Sequence, residues 1–401
     1  MARKWQMHSI VSLGLIFFGF TGCFSPDFPV TRAPSDTLET QVSTAPTIIH
    51  NAAPTAISTT PNLRDTPTER QENATNTGTY ARGIILYIGD GMGEMHRTAA
   101  RWAGYGVDGT LAMDSLLYKG LSHTAPSGGT GVTDSAAAGT ALATGIKTVN
   151  GYVGMSPQGE NLATILEIAK QQGYAVGLVT TTQLGHATPA SFAAHVLNRN
   201  QYTTIVKQML DLGVDVLLAG GEDDLLPADT TGCYPGKGHR TDGLNLVEQA
   251  QSNGYVAMCG PDEFYNQAAI PGMRYLGLFG DDGMLRPHTP SLADMTNFAI
   301  NVLSADPEGF FLMVEGGQID WAAHDNDAEN VILDTLAFDA AVANGLAYAE
   351  TSQDVLIIVT ADHETGGMAV SMEDSGKVGQ DGPFHMVDKT PFFVTWGTGS
   401  H

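Results

Sequence analysis

Basic residues are scarce in this chain of 401 residues. It has 19 lysines and arginines against 43 aspartates and glutamates, which gives a net charge of −24. Such a surface repels nucleic acids and anionic lipid headgroups, so we expect no nucleic-acid binding. A phosphate ester would be repelled as well, unless metal ions reverse the field locally.

Cysteine is also rare, with three residues in the chain. Cys23 belongs to an N-terminal export segment, which leaves Cys233 and Cys259 as an even pair. Export allows disulfides, so these two could close one loop and contribute roughly 3 kcal/mol of stability. Two unpaired thiols are the alternative.

Residues 1–22 have the pattern of a secretion signal, in which basic Arg3 and Lys4 precede the apolar run Ile10–Phe20. That run is too short to span a bilayer comfortably. It ends in Phe-Thr-Gly-Cys, which resembles a bacterial lipobox with Cys23 as the lipidated residue. Ordinary cleavage and an uncleaved anchor are the alternatives. All three predict an exported protein, periplasmic or at the cell surface, and the first predicts a lipid anchor on the membrane.

Residues 23–79 are rich in Thr, Pro, Ser, Ala and Asn and have no sustained periodicity. That composition is typical of a disordered tether. Residues 80–401 differ, because short apolar runs alternate there with helical patterns. We predict buried strands at Ile84–Ile88, Ala175–Val179, Val214–Ala219, Phe310–Val314 and Val355–Val359, and helices at Leu162–Gln171, Ser191–His195 and Ala328–Tyr348.

This alternation predicts an α/β fold, a three-layer sandwich in which a large, mostly parallel central sheet is flanked by helices. Ligands of such folds bind beyond the carboxyl ends of the strands. Residues from about 220 to 290 are rich in Gly, Pro and polar residues. We expect them to form an inserted subregion of the 80–401 domain.

Ser135 follows Asp134 directly and opens an Ala/Gly-rich helical stretch. A serine there meets the free N–H groups and partial positive charge of a helix N-terminus, which stabilise an alkoxide or an attached phosphate. An Asp-Ser pair before a helix is also an ordinary cap. The rest of the chain decides between the two interpretations.

Carboxylates and imidazoles follow the predicted strands, where side chains converge at one edge of a parallel sheet. They are Asp90, His186 with Thr188, Glu315, and Asp362 with His363. Asp320 and His324, four residues apart, share one face of a helix. Such Asp/His sets suit zinc, and carboxylate with hydroxyl oxygens suits magnesium. Each motif alone has an ordinary alternative as a turn, a cap or a solvated helix face.

Taken together, the motifs resemble those of the bacterial alkaline phosphatases, over residues from about 82 to 401. The resemblance rests on motifs in the same order: Gly89-Asp90-Gly91-Met92-Gly93, Thr133-Asp134-Ser135-Ala136-Ala137, His186-Ala187-Thr188-Pro189, Val314-Glu315-Gly316-Gly317, Asp320 with His324, Thr360-Ala361-Asp362-His363, and Gly399-Ser400-His401.

The resemblance implies an alkaline phosphatase-like fold and hydrolysis of phosphomonoesters by Ser135 as nucleophile, with Arg199 as the phosphate clamp. It also implies two zinc ions (Zn²⁺) and one magnesium ion (Mg²⁺), and a homodimer. The metal ligands it implies are Asp320, His324 and His401 for one zinc, Asp90, Asp362 and His363 for the other, and Asp90, His186, Thr188 and Glu315 for magnesium.

Three positions depart from the family pattern. His186 stands where the best-known bacterial member has Asp, so we expect the third site to take zinc or to bind magnesium weakly. Trp321 stands where that member has Lys, and we expect looser binding of the phosphate product. His401 is the last residue, whereas the family continues beyond it. We therefore expect a truncated sequence whose product is unstable or deficient in zinc.

Two other function classes stay open. One is a phosphodiesterase or sulfatase of the same superfamily. The other is a non-catalytic surface protein that binds metal or phosphate. The presence of Ser135 and Arg199 beside a three-metal ligand set favours an enzyme that acts on monoesters.

Overall fold

The computed structural model describes residues 80–129 and 131–400. The predicted signal and tether (residues 1–79, with Cys23) and the predicted ligand His401 lie outside the described residues.

Seven parallel strands form the central sheet, in the order β4-β5-β3-β2-β6-β1-β7. The predicted α/β class is confirmed, and all the strand pairs of this sheet are parallel. The strands are β1 (Gly83–Gly89), β2 (Ala175–Gln183), β3 (Val216–Gly220), β4 (Tyr255–Cys259), β5 (Arg274–Leu278), β6 (Phe310–Gly316) and β7 (Val355–Ala361).

Helices cover both faces of this sheet. They are α1 (Glu94–Tyr105), α2 (Ser135–Thr144), α3 (Ile165–Gln171), α4 (Ala187–Ala193), α5 (Tyr202–Leu212), α6 (Leu246–Ser252), α7 (Pro261–Asn266), α8 (Leu292–Leu303), α9 (Gln318–His324) and α10 (Ala328–Ser352). A smaller antiparallel sheet has the order β8-β10-β9 and consists of β8 (Ala369–Ser371), β9 (Gln380–His385) and β10 (Pro391–Thr395).

Successive side chains of the strands pack into two separate hydrophobic cores, one on each face of the sheet. In β1, Ile85 and Tyr87 join the core beneath α8 and α10, whereas Leu86 and Ile88 join the core beneath α2 to α6. Successive side chains of a strand point to opposite faces, so a strand buried on both sides reads as a continuous apolar run. The result is the expected three-layer sandwich.

Several predicted boundaries were wrong. The helix predicted at 162–171 begins at Ile165, because Thr164 caps it and bonds reciprocally with Glu167. The helix predicted at 191–195 runs instead over Ala187–Ala193. Strand β2 continues through three threonines that carried no apolar signal, and β3 begins two residues later than predicted. A local capping box decides the start of α3, whereas strand pairing extends β2 through the threonines.

Residues 220–290, expected as an inserted subregion, supply β4 and β5 to the outer part of the central sheet. Cys233 and Cys259 form a disulfide bond there. Within the described residues, one helix, α10, is long and apolar enough to cross a membrane, and half of that stretch is buried. Its packing against α1, α8 and the sheet makes it a core helix.

Candidate active site

The candidate site lies at the carboxyl edge of four neighbouring strands, β2, β6, β1 and β7. Asp90 follows β1, Glu315 lies near the end of β6, Asp362 follows β7, and His186 follows β2 after a short turn. Parallel strands present their carboxyl ends on one side, so these residues converge although they are far apart in sequence.

Ser135 is the first residue of α2 and is 1% exposed. Asp134 caps the helix by accepting a hydrogen bond from the Ala137 N–H at 2.9 Å. The Ser135 Oγ lies 3.4 Å from Asp90 Oδ1 and 3.3 Å from His363 Nε2. The predicted nucleophile therefore stands at a helix N-terminus and in contact with two predicted metal ligands.

Five buried side chains surround this position, and we call them the Asp90 cluster: Asp90, His186, Glu315, Asp362 and His363. Ligand atoms of Asp90, Asp362 and His363 lie within 4.8 Å of one another, and so do those of Asp90, His186 and Glu315. Both groupings match predicted metal sites, and Asp90 belongs to both.

The Asp90 cluster has polar atoms that lack hydrogen bonds. Asp362 Oδ1 accepts from the N–H groups of Gly91 and His363, whereas its Oδ2 has no hydrogen-bond partner in the described part of the chain. Asp90 Oδ2 and His186 Nδ1 are also buried and have no hydrogen-bond partner within residues 80–129 and 131–400. Buried polar atoms are normally bonded, so this donor set fits cations.

Electrostatics lead to the same conclusion. Burial raises the pKa of Asp90 well above its usual range, and the charges of Asp362, Asp320 and Glu315 add to this shift against the opposing charge of Arg199. Burial also raises the pKa of Glu315 to about 7, although hydrogen bonds from three threonine hydroxyls lower it in part. Several buried carboxylates repel one another, and bound cations would relieve that repulsion.

Arg199 lies beside the cluster and is partly exposed. Its Nη1 donates to Asp134 Oδ2 at 3.1 Å, and its Nη2 lies 3.2 Å from His186 Nε2. A guanidinium can only donate, so in this arrangement His186 Nε2 accepts and Nδ1 carries the proton. Burial, and then the charge of Arg199, lowers the pKa of His186 to about 3, which keeps the ring neutral. An ion at Nδ1 would require the other tautomer.

Asp320 and His324 lie on the same face of α9 as predicted, with Asp320 Oδ1 3.5 Å from His324 Nε2. The Nδ1 of His324 lies 2.9 Å from the carbonyl oxygen of Gly399. When Nδ1 donates to that carbonyl, the neutral ring directs the Nε2 lone pair towards Asp320, as metal-binding histidines commonly do. His401, the third predicted ligand of this zinc, is not among the described residues.

Sequence reasoning missed the hydroxyls that hold these ligands. Thr365 donates to Asp320 Oδ1 at 2.5 Å, and its Oγ1 lies 3.2 Å from His363 Nδ1, so it bridges the two predicted zinc sites. Thr180 donates to Glu315 Oε2, and the Thr182 hydroxyl oxygen lies 3.4 Å from the same oxygen. The run Thr180-Thr181-Thr182 at a strand end was an available signal. Nothing in the sequence distinguishes Thr365.

Two further contacts shape the site. Gly91 has a φ of +65°, and a Cβ there would lie 2.7 Å from Asp320 Oδ1, so the tight approach of this loop requires glycine. The ring of Trp321 contacts His186 edge to face, with centroids 5.8 Å apart. Trp321 therefore packs against a predicted third-site ligand.

The fold and site define a class: an α/β enzyme with a serine among buried metal-type ligands at the carboxyl edge of its sheet. The family model for alkaline phosphatase matches residues 81–398. The chain belongs to the alkaline phosphatase family.

Two relatives from Bacillus subtilis (strain 168) illustrate the similarity. Alkaline phosphatase 4 is 36% identical over 329 residues, which cover 78% of this chain and 68% of that protein. Alkaline phosphatase 3 is 35% identical over 319 residues, which cover 76% and 65%. The chain thus spans about two thirds of the length of these relatives.

A solved structure agrees with this assignment. The alkaline phosphatase of the Antarctic bacterium TAB5 has a TM-score of 0.68 at 30% identity, covering 80% of this chain and 88% of that one. A histidine-to-aspartate mutant of the TAB5 enzyme is described with Mg bound in its M3 site.

Proposed function

We propose that this protein is a phosphomonoester hydrolase of broad specificity that releases inorganic phosphate through a phosphoserine intermediate. The observation that carries the proposal is the position of the Ser135 Oγ, which lies at the start of α2 and within 3.4 Å of both Asp90 and His363. The family supports phosphatase chemistry, and the two-step route is inferred from this geometry.

Two zinc ions would be held by Asp90, Asp362 and His363 and by Asp320, His324 and His401, and one magnesium by Asp90, His186, Thr188 and Glu315. When bound, these cations would supply the positive charge that the acidic site lacks and lower the pKa of the serine. The orphaned oxygens of Asp90 and Asp362 support such occupancy.

The residues of the chain perform the positioning. The Ser135 Oγ forms a bond to phosphorus as the bond to the ester oxygen breaks, and the serine proton ends on that oxygen, which departs as an alcohol. Ser135 is the first residue of α2, and the partial positive charge of the helix N-terminus would stabilise negative charge there. Water then displaces Ser135 from phosphorus, which restores the serine and releases phosphate.

Arg199 would hold two phosphate oxygens with its planar guanidinium. Asp134 orients Arg199 by accepting the 3.1 Å bond from Nη1 at Oδ2, and the same oxygen accepts a hydrogen bond from the Gly151 N–H at 2.9 Å. Asp134 therefore links the helix cap to the proposed phosphate clamp.

Hydrolysis of p-nitrophenyl phosphate by the full chain, reconstituted with zinc and magnesium, tests the proposal. We expect Ser135→Ala to lower turnover by at least about 10³-fold while the bound zinc per chain stays unchanged. Ser191→Ala, a buried serine of α4 that bonds only to backbone carbonyls and Thr140, is the matched control. Equal turnover in Ser135→Ala and the parent would support the non-catalytic alternative.

The choice among esters needs a second measurement. We expect p-nitrophenyl phosphate to be hydrolysed faster than its bis-ester and faster than the sulfate, because Arg199 and the proposed cations suit a dianionic group. A preference for the bis-ester or for the sulfate would favour the phosphodiesterase or sulfatase alternative.

We also propose that the protein is exported, that a lipid on Cys23 anchors it to a membrane, and that it forms a homodimer. The first two rest on the sequence of residues 1–23, and the third rests on family resemblance. Metabolic labelling with a radioactive fatty acid, compared between the parent and Cys23→Ser, tests the anchor.

A further inference from the structure

Thr180 faces Glu315 across two neighbouring strands. The Cα atoms of these residues are register partners in the parallel β2–β6 pair, so their side chains point to the same face of the sheet. Thr180, Thr182 and Glu315 are all 0% exposed. The Thr180 hydroxyl donates to Glu315 Oε2, and the Thr182 Oγ1 lies 3.4 Å from the same oxygen.

The hydrogens around Thr180 determine the direction of these bonds. A hydroxyl has one proton to donate and two lone pairs to accept with. The Thr182 N–H donates to Thr180 Oγ1 at 3.0 Å, and the two hydroxyl oxygens lie 2.9 Å apart. Because the Thr180 proton goes to Glu315, Thr182 is the donor in the hydroxyl pair. Thr180 therefore accepts twice and donates once, to Glu315 Oε2.

This arrangement leaves the two oxygens of Glu315 in different roles. Oε2 is held as an acceptor by the Thr180 hydroxyl, so Oε1, which accepts no hydrogen bond within the described residues, is the oxygen that can turn towards an ion. A carboxylate oxygen of Glu315 lies within 4.8 Å of ligand atoms of Asp90 and His186. Close packing restricts other side-chain conformations of Thr182 and Glu315. A Cβ on Gly317, for example, would lie 2.4 Å from Thr182 Cγ2 and 3.0 Å from Glu315 Cδ.

We propose that Thr180 and Thr182 are positioning residues that hold one oxygen of Glu315 so that the other faces a divalent cation at Asp90 and His186. The inference rests on the third metal site of the proposed function and assigns it two outer residues. Thr180 makes the direct bond, and Thr182 acts by fixing the direction of the Thr180 proton. Loss of the Thr180 hydroxyl therefore has the larger effect.

Magnesium binding to the zinc-loaded full chain tests this role without any assay of turnover. Isothermal titration with Mg²⁺ gives the affinity, and elemental analysis after dialysis gives magnesium and zinc per chain. We expect Thr180→Val, which keeps shape but removes the hydroxyl, to weaken Mg²⁺ binding by about tenfold or more. Thr182→Val should weaken it less. Thr180→Ser should restore the parent affinity, because it retains the donor.

Controls separate this role from general damage to the fold. Thr335→Val removes a buried hydroxyl from α10 and should leave Mg²⁺ affinity unchanged. Melting in the presence of a chelator shows whether each variant folds. Parent affinity in a folded Thr180→Val would overturn the inference, and so would failure of Thr180→Ser to restore binding. If the parent itself binds no third ion, the proposed magnesium site is wrong, and this inference with it.

Discussion

Two clusters of aspartate and histidine lie at the carboxyl edge of the central sheet, and they differ in what satisfies their charges. The Asp90 cluster is buried and has polar atoms that find no hydrogen-bond partner in the described part of the chain. The second, which we call the His239 cluster, consists of Asp223, Asp224 and His239 in the loop region that follows β3. Its geometry also allows a metal ion, so spacing alone does not separate the two.

Hydrogen bonding does separate them. His239 Nδ1 lies 3.1 Å from Asp224 Oδ1 and its Nε2 lies 3.2 Å from Asp223 Oδ2, so a protonated ring donates to both acids and offsets one of their two negative charges. The His239 side chain is 58% exposed and water can screen it. In the Asp90 cluster, by contrast, burial multiplies the cost of each unpaired charge. The comparison teaches that a metal site is recognised by unmet bonding capacity rather than by residue types.

The largest expected difference between the clusters is in the stability that zinc adds, which Asp90→Asn tests with and without zinc. In chelator we expect the variant to be at least as stable as the parent, since it removes one of several repelling carboxylates. In saturating zinc we expect the parent to gain about 3 to 4 kcal/mol by mass action, and the variant much less. Thermal melts of both proteins under the two conditions measure this.

Asp224→Asn serves as the matched change in the His239 cluster. Zinc should raise the melting temperature of that variant as much as it raises that of the parent. An equal response to zinc in Asp90→Asn and the parent would contradict the proposed role of the Asp90 cluster.

The next effect concerns the scaffold of the His239 cluster. Glu222 precedes Asp223 and accepts hydrogen bonds from the N–H groups of Cys233 and Tyr234, beside the Cys233–Cys259 disulfide. The disulfide bond closes a loop with a sequence separation of 26 residues. We expect the double change Cys233→Ser with Cys259→Ser to cost about 3 kcal/mol of unfolding free energy in urea.

A reducing agent provides the control for the disulfide. It should destabilise the parent by a similar amount and leave the double variant unchanged. Hydrolytic activity per folded molecule should persist, because the Asp90 cluster is held by β1, β2, β6 and β7 rather than by this loop. A selective loss of zinc on reduction would show that the two clusters depend on each other.

The smallest effect is a pH dependence of the His239 cluster. Burial lowers the pKa of His239, but the hydrogen bond with Asp224 and the charges of both acids outweigh it, so the net shift is upward. A raised histidine pKa stabilises the folded state below the ordinary value near 6.5, and that stability is lost as pH rises through the raised value. Burial and Asp224 raise the pKa of Asp223 to about 6, which acts in the same direction.

We therefore expect His239→Gln to reduce stability most at about pH 6 and least at about pH 9. Urea midpoints of the parent and the variant across this range measure the difference. His385→Gln, at an exposed histidine of β9, is the comparison. A difference that grows with pH would reverse the sign of this argument and show that His239 does not bind the two acids as a cation.

Prediction from sequence succeeded where a pattern has one physical meaning. Apolar runs such as Phe310–Val314 predicted strands, and their alternation with helices predicted the parallel sheet. The strand edge then placed Asp90, Glu315, Asp362 and His186 together. Two boundaries were wrong for different reasons. At α3 the apolar pattern ignored a local signal, the reciprocal cap of Thr164 and Glu167. In β2 pairing with neighbouring strands extends the strand through threonines beyond its apolar run.

Four features could be predicted from the sequence alone: the fold class, the helix that begins at Ser135, the shared face of Asp320 with His324, and the family. These depend on periodicity, capping and motif order, which are local properties of the chain. Three features required the three-dimensional arrangement. They are the oxygens of the Asp90 cluster that lack partners among the described residues, the contact of Arg199 with His186, and the positions of Thr180, Thr182 and Thr365 beside the ligands. Those facts depend on distances between residues far apart in sequence, and a pattern along the chain does not contain such distances.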